Sequence, residues 1–222
     1  ISSMSGGEQY INSFGVGTVI SMNGGTQKIS SGGVGSALGT LGGKQNIASG
    51  GTGWVEKVTS NQVISSGGTG IVETVTSGNS WTLTAGQTGI ANTMSGGTQT
   101  VSNGGSGTVI SMNTGLQVID TSGVGMISTM SGGEQTIASS GVGTVSSMEG
   151  GDQRIYTGGT GTVSSLSGYG KQSISGGTGM VISIGGGAQD VYDGGVGTIS
   201  SMSNGVHRIR SGGSGTIILS LI

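Results

Sequence analysis

A glutamine recurs along the chain at a nearly constant interval, and this interval restricts the fold more than any other feature. Starting from Gln9, the same slot of the repeat is reached in steps of about 18 residues, none of which departs from this mean by more than one. The slot is occupied by Gln9, Gln27, Gln45, Gln62, Trp81, Gln99, Gln117, Gln135, Gln153, Gln172, Gln189 and His207. A fixed period of this size is typical of repeat proteins whose units stack on one another.

Three other slots of the repeat hold only apolar residues. The first lies two positions after the glutamine slot, as at Ile11. The second lies two positions after a Gly-x-Gly, as at Val19. The third lies between the second slot and the next glutamine, as at Met22. The position between the glutamine slot and the first apolar slot is mostly polar, as at Lys28. Alternation of apolar and polar positions indicates strands rather than helices. Each repeat is therefore predicted to form two strands separated by Gly-rich turns.

The last glycine of the Gly-x-Gly, for example Gly143, is present in every repeat. Tight turns need a positive φ or a close approach of two backbones, and glycine meets both needs at the lowest cost. We interpret this glycine as the corner of a coil.

A single repeat is too short to bury its own apolar face, whereas stacked repeats can. The sequence therefore predicts an all-β fold, a parallel β-solenoid (β-helix) of about twelve coils of about 18 residues, with two strands per coil and Gly-rich turns. Residues 1–222 are predicted to form a single β-solenoid repeat domain, a fragment or processed piece of a longer secreted protein. Identical amides stacked coil upon coil can bond in series, so the glutamines from Gln9 to Gln189 are predicted to form a structural polar ladder.

Composition supports an ordered chain and excludes several functions. The chain has 53 glycines, but 31% of its residues are apolar and its net charge is only −2, unlike a disordered segment. It has no proline, which suits unbroken strand pairing, and no cysteine, which excludes disulfides and thiolate metal sites. Without a basic patch we expect no nucleic-acid partner. Without an apolar run of about 18 residues we expect no membrane insertion of this segment.

Residues suited to catalysis or to metal binding are sparse. A calcium-binding Gly-Gly-x-Gly roll needs an aspartate two residues after its third glycine, and here that slot holds apolar residues such as Val109. The single histidine, His207, lies in a glutamine slot and is interpreted as a ladder substitute. Asp190 and Asp193 flank Tyr192 and are expected to lie on a solvated edge. We therefore expect no enzymatic activity, no cofactor and no metal site.

The repeat is least regular between Trp54 and Trp81. Trp54 replaces the usual threonine after a Gly-x-Gly, and Trp81 replaces a glutamine. Together with Glu56 and Glu73, the two tryptophans are predicted to form a contact patch for a sugar or a protein. The alternative is that these repeats have merely diverged from the common pattern.

The stretch GGTQTVSNGGSGTVISM, residues 96–112, resembles the strand-loop-strand repeat of bacterial autotransporter passengers, of the diffuse-adherence adhesin and autoaggregation antigen type. GGEQTIASSGVGTVSSM (132–148) and GGDQRIYTGGTGTVSSL (150–166) have the same layout, and the resemblance covers essentially the whole chain. It implies an extracellular protein on the bacterial cell surface that mediates adhesion, autoaggregation or biofilm formation. The implied partners are another copy of the chain or a host or cell-surface receptor.

The same resemblance implies a modification. Some members of that family carry heptose on Ser or Thr of the repeats, attached by a dedicated heptosyltransferase. By position, the acceptors for O-glycosylation here are Thr18, Thr108, Thr144, Thr162 and Thr198. The chain departs from the family pattern in having Gly where the family often has Ala after the second Gly-Gly.

Two alternatives to the adhesin remain. Ile1 starts within a strand and the chain stops at IILSLI, residues 217–222, so open end coils would allow head-to-tail assembly into an extracellular β-solenoid fibre. The outward threonines could also order ice-like water, although Trp54, Ile71, Ile90, Met126 and Met180 break their column.

Overall fold

A computed structural model of the chain describes residues 1–40, 43–57 and 62–218. Leu41 and Val58, which the repeat assigns to the third apolar slot, and residues 219–222 lie outside the described residues. Within the described part no helix forms, and accordingly none has the length and apolar character needed to cross a bilayer. In chain order the strands are β1 (Ser3–Met4), β2 (Glu8–Ile11), β3 (Val16–Met22), β4 (Thr26–Ile29), β5 (Val34–Thr40), β6 (Lys44–Ile47), β7 (Thr52–Lys57), β8 (Gln62–Ile64), β9 (Thr69–Val75), β10 (Ser80–Leu83), β11 (Thr88–Val101), β12 (Ser106–Ile119), β13 (Val124–Met130), β14 (Glu134–Ile137), β15 (Val142–Met148), β16 (Asp152–Ile155), β17 (Thr160–Leu166), β18 (Lys171–Ile174), β19 (Thr178–Ile184), β20 (Ala188–Val191), β21 (Val196–Met202), β22 (Val206–Ile209) and β23 (Ser214–Ile217).

The strands stack in parallel into two ladders that run along one solenoid. Strands of six or seven residues pair with one another, as β13 with β15, and form what we call the broad sheet. Most strands of three or four residues pair likewise, as β14 with β16, and form the narrow sheet. The short end strands β1 and β23 instead pair with β3 and β21 of the broad sheet. The two longest strands, β11 and β12, contribute to both sheets. The predicted parallel β-solenoid of about twelve coils with ~18-residue spacing is confirmed.

The repeat sets the register of each pair. Between β13 and β15, Gly125 lies beside Gly143 and Ile127 lies beside Val145. A repeat that is one residue longer than the mean keeps the same register, because Gln153 still lies beside Gln172. The extra residue is therefore accommodated in a turn between strands, and not in the ladder.

The three apolar slots form the interior. All their described members are buried except those of the last repeat, where Met202 is half-buried and Ile209 and Ile217 are 45% and 40% exposed. No further described coil packs on that repeat. Between the first and last repeats, each coil is covered on both sides by the same slots of its neighbours, which is how a solenoid buries apolar area.

The last glycine of the Gly-x-Gly has a different role from the predicted one. Gly143 lies inside β15 with a strand backbone, so its prediction as a corner residue was wrong. A Cβ at Gly143 would overlap Cδ1 of Ile137 and lie 2.8 Å from Oε1 of Gln135. The missing side chain therefore leaves room for the glutamine and the isoleucine of its own coil. Left-handed turn conformations occur elsewhere, at residues such as Gly133 and Gly151.

The glutamines bond to one another inside the solenoid. In each step Nε2 of one glutamine donates to Oε1 of the glutamine in the preceding coil, at 2.6 or 2.7 Å. Gln153 also lies 3.4 Å from the carbonyl oxygens of Gly143 and Thr162, so its amide reaches the broad sheet. The bonded pairs are Gln9–Gln27, Gln27–Gln45, Gln45–Gln62, Gln99–Gln117, Gln117–Gln135, Gln135–Gln153, Gln153–Gln172 and Gln172–Gln189.

Trp81 separates these bonds into two series. Its side chain is 4% exposed and occupies the glutamine slot, so the prediction that it forms part of a surface contact patch was wrong. An indole donates one hydrogen bond and accepts none. As a result Oε1 of Gln62, Nε1 of Trp81 and Nε2 of Gln99 are buried without a partner among the described residues.

The narrow sheet is interrupted at the same place. Within the described residues no pairing joins β8 to β10. The side chain of Gln87 fills the gap, because its Nε2 donates to the carbonyl of Ile64 and its Oε1 accepts from the backbone N–H of Thr84 at 2.8 Å. One amide side chain thus replaces a direct backbone bond of the regular coils.

Register can be tested by deletion. Removing residues 135–152 joins Glu134 to Gln153 and keeps every slot in place, so we expect the midpoint of thermal unfolding to fall by less than about 5 °C. Removing residues 135–143 joins Glu134 to Thr144 and places a threonine in the glutamine slot. We expect this deletion to lower the midpoint of thermal unfolding at least three times as much, as measured by circular dichroism. Equal losses would contradict the stacking of identical slots.

The glutamine series can be tested by truncation. Gln135→Ala removes two hydrogen bonds: the one that Oε1 of Gln117 accepts and the one that Nε2 of Gln153 donates. Oε1 of Gln153 keeps its bond from Gln172. We expect the free energy of unfolding in urea to fall by about 2–5 kcal/mol, from two weakened partners and a cavity. The matched control is Gln9→Ala, because Gln9 is half-buried and makes one side-chain bond. Its expected cost is about 1 kcal/mol, and a control cost as large as that of Gln135→Ala would argue against the ladder.

Candidate functional site

The outward side of the broad sheet, which we call the broad face, is almost free of charge. Along β15 the residues Val142, Thr144 and Ser146 point outward, while Gly143 and Val145 are buried. Among the described side chains of the broad strands, only Glu56 and Glu73 are charged. The exposed large apolar residues of this face are Val16, Ile20, Val34, Leu38, Ile110, Val124, Met126, Val142, Met180, Ile182 and Val196.

Three of the four residues of the predicted contact patch lie on this broad face. Trp54 is half-buried and lies between Ser36 and Ile71 of the neighbouring coils. Glu56 is exposed, and Glu73 follows it in the next coil. Glu73 accepts a hydrogen bond of 2.6 Å from Nδ2 of Asn92. The structure therefore brings an indole and two carboxylates together, without Trp81.

The predicted acceptor threonines also lie on the broad face. Thr18 is exposed, and Thr108, Thr144, Thr162 and Thr198 are half-buried. Each lies between the last glycine of a Gly-x-Gly and a buried apolar residue, so its side chain points outward, as the pattern of β15 shows. None of their hydroxyl groups is hydrogen-bonded to another described residue.

Charge is concentrated on the outward side of the narrow sheet, the narrow face, between β14 and β22. Arg154 lies 3.2 Å from a carboxylate oxygen of Asp152 and 3.6 Å from one of Glu134. Lys171 lies 3.1 Å from a carboxylate oxygen of Asp190. The pairs Arg154–Glu134 and Lys171–Asp190 join successive coils, because their members come from different strands of the narrow sheet.

Asp190 is the most buried charged residue of this group. Its side chain is 2% exposed, so the expectation that it lies on a solvated edge was wrong. Lys171 and Arg208, from neighbouring coils, cover it at 3.1 and 2.8 Å. Burial alone would raise the pKa of Asp190, but the hydrogen bonds and charges of Arg208 and Lys171 outweigh burial and lower the pKa. Asp193, by contrast, is exposed.

His207 lies beside Gln189 in the register of the narrow sheet. Burial lowers its pKa, and its Nε2 has no hydrogen-bond partner among the described residues. In the described part of the chain, no group of three His, Asp or Glu side chains lies close enough to hold a metal ion.

The sequence analysis did not identify the cluster of Lys171, Asp190 and Arg208. The signal was present, since one step of the repeat from Asp190 leads to Arg208. Stepping by the period identifies such neighbours across coils, whereas reading along the chain shows Asp190 only beside Tyr192.

Comparisons with known proteins give one structural likeness. No family model matches the chain, and no curated protein matches it. Among solved structures, a hyper-glycosylated TibA fragment, glycosylated by TibC, is similar over 97% of this chain and 95% of that one, with 22% identity and a TM-score of 0.47. At this degree of similarity the match carries no inference about function.

Proposed function

We propose that the chain is a non-enzymatic, extracellular repeat protein of the autotransporter-adhesin type, and that its broad face binds the broad face of a second copy. The function of such contacts is autoaggregation, adhesion or biofilm formation at a bacterial cell surface. The observation that carries the proposal is the uncharged stretch of this face from β11 to β21, where valine, isoleucine and methionine side chains alternate with hydroxyls.

The size of this stretch suits a weak contact. Seven coils at about 4.8 Å, and about five residues of each strand at about 3.3 Å, give an area of about 550 Å² per copy. Two copies would bury about 1,100 Å² in total, at the low end of specific interfaces. Many copies on one cell would multiply this weak contact through avidity.

The charge distribution favours this face over the other. An exposed apolar surface gains from burial, whereas the ion pairs of the narrow face around Asp190 would lose water without gaining partners. Glu56 and Glu73 lie outside the stretch from β11 to β21, so the contact does not bury them.

The contact is tested by placing charge on the broad face. Ile110 and Ile182 are 46% and 42% exposed, so Ile110→Lys with Ile182→Lys leaves the core intact. Like charges facing each other in a symmetric contact would weaken it, and we expect the dimer Kd to rise at least about tenfold in sedimentation velocity. The matched control is Val63→Lys with Val206→Lys, which adds the same charge to exposed positions of the narrow face. If both double substitutions raise the dimer Kd equally, the assignment of the contact to the broad face is overturned.

We also propose that Thr18, Thr108, Thr144, Thr162 and Thr198 are O-glycosylation acceptors for a heptosyltransferase. The proposal rests on their outward, unbonded hydroxyls and on the sequence resemblance. Sugars at these positions would cover the apolar side chains of the broad face. Glycosylated chain is therefore expected to self-associate less than unmodified chain.

Mass spectrometry checks the modification. The purified chain is incubated with a bacterial heptosyltransferase and its nucleotide-activated heptose, and modified peptides are mapped. We expect heptose on Thr144 and Thr162 and its loss in Thr144→Val and Thr162→Val. Thr136 serves as the internal control, because its hydroxyl is bonded to Glu134 at 2.9 Å on the narrow face. Modification of Thr136 but not of Thr144 would contradict the assignment.

A further inference from the structure

Two tyrosines on the narrow face border a gap that is one coil wide. Tyr156, Ser175 and Tyr192 occupy the same slot of three successive coils, and each donates its backbone N–H to the coil before it at 2.7 or 2.8 Å. The two tyrosines are therefore two coil spacings apart, about 9.5 Å. The small side chain of Ser175 lies between them and leaves the space open.

This gap, which we call the tyrosine notch, is a cavity of ≈ 260 Å³. Besides the three residues of the slot, Asp152, Arg154, Lys171 and Ser173 line it. It lies beside a wider groove of ≈ 600 Å³, to which Asp152 and Lys171 also contribute. The notch has the size of one sugar ring, and the groove leaves room for the rest of a chain.

Neighbouring side chains hold the walls of the notch. The guanidinium of Arg210 lies 5.3 Å from the centre of the Tyr192 ring, and the hydroxyl of Tyr192 lies 3.4 Å from Asp190. Arg210 follows Tyr192 in its slot, on the side away from Ser175, so the other ring face is directed to the notch. Lys171 is held by its ion pair with Asp190.

Three polar atoms of the notch have no hydrogen-bond partner among the described residues. The hydroxyls of Ser173 and Ser175 make no hydrogen bond to another described residue. Oδ1 of Asp152 is buried and has no partner in the described part of the chain. Two aromatic walls with free serine hydroxyls match a ligand that has apolar C–H faces and hydroxyl edges.

The spacing and the charge select among such ligands. A ring centred in the notch would lie about 4.75 Å from each phenol, within the range for stacking on an aromatic ring. A planar base stacks more closely and would not fill the gap. Lys171 and Arg154 are already paired with Asp190 and with Asp152 and Glu134, so the notch offers no free cation for a phosphate.

We propose that the tyrosine notch binds one pyranose residue of a neutral glycan. The site lies on the narrow face, so this proposal stands independently of the self-association through the broad face. Stacking on Tyr156 and Tyr192 supplies most of the affinity, and the hydroxyls of Ser173 and Ser175 orient the sugar.

Saturation-transfer difference NMR tests the proposal with the purified chain. The probes are the methyl pyranosides of glucose, galactose, mannose, fucose and N-acetylglucosamine. We expect at least one probe to bind with a Kd of about 1–10 mM, as suits a single small ring. Tyr156→Ala should raise that Kd at least about tenfold, because one stacking wall is lost. Tyr156 is 41% exposed, so the fold should survive.

Two further variants complete the test. Ser175→Tyr fills the notch with a third ring and should abolish binding while the circular dichroism spectrum is unchanged. Tyr10→Ala removes an exposed tyrosine from a distant part of the narrow face and should leave the Kd unchanged. Absence of binding for all five probes at about 20 mM, or a Kd that neither Tyr156→Ala nor Ser175→Tyr changes, would overturn the proposal.

Discussion

The bond between buried glutamine amides is the interaction on which the rest of the solenoid depends. A buried amide without partners costs about 1–3 kcal/mol, and Gln135 finds its partners only when Gln117 and Gln153 lie at the same level of their coils. A slip of one residue would turn every side chain of a strand to the other face and leave the amides unpaired. The apolar slots can interlock from coil to coil because the amides exclude such slips.

A fixed interior confines variation to the outside. Because the inward slots are the same in nearly every coil, the outward slots are free to differ, and each outward slot forms a column along the solenoid. A preference for one residue type in an outward slot therefore recurs from coil to coil and determines the chemistry of a whole face. Hydroxyl and apolar residues make the broad face a candidate for association, whereas Tyr156, Lys171 and Tyr192 give the narrow face a shaped and polar recess.

Periodicity predicted the fold and the inward slots, but not how space is used inside a coil. The period shows that Gly143 follows Gly125 in its column, whereas only the folded structure shows that a Cβ there would overlap Ile137. The irregular repeat around Trp81 suggests a surface patch, although the glutamine slot places Trp81 inside. Asp190 looked solvated along the chain, and its cover comes from Lys171 and Arg208 across coils. The slot of Trp81 places it inside, and one step of the period from Asp190 identifies Arg208 as its neighbour.

The interruption at Trp81 shows how the solenoid accommodates a tryptophan in the glutamine slot. The broad sheet continues past it, because β9 pairs with β11, so the two glutamine series belong to one continuous stack. The narrow sheet loses one pairing, and Gln87 supplies a donor and an acceptor in its place. An amide side chain suits this role because it carries both functions, as a peptide group does. Gln87 thus bridges one carbonyl and one N–H across the gap. The unpaired atoms belong to Gln62, Trp81 and Gln99, where the buried indole contributes packing instead of hydrogen bonds.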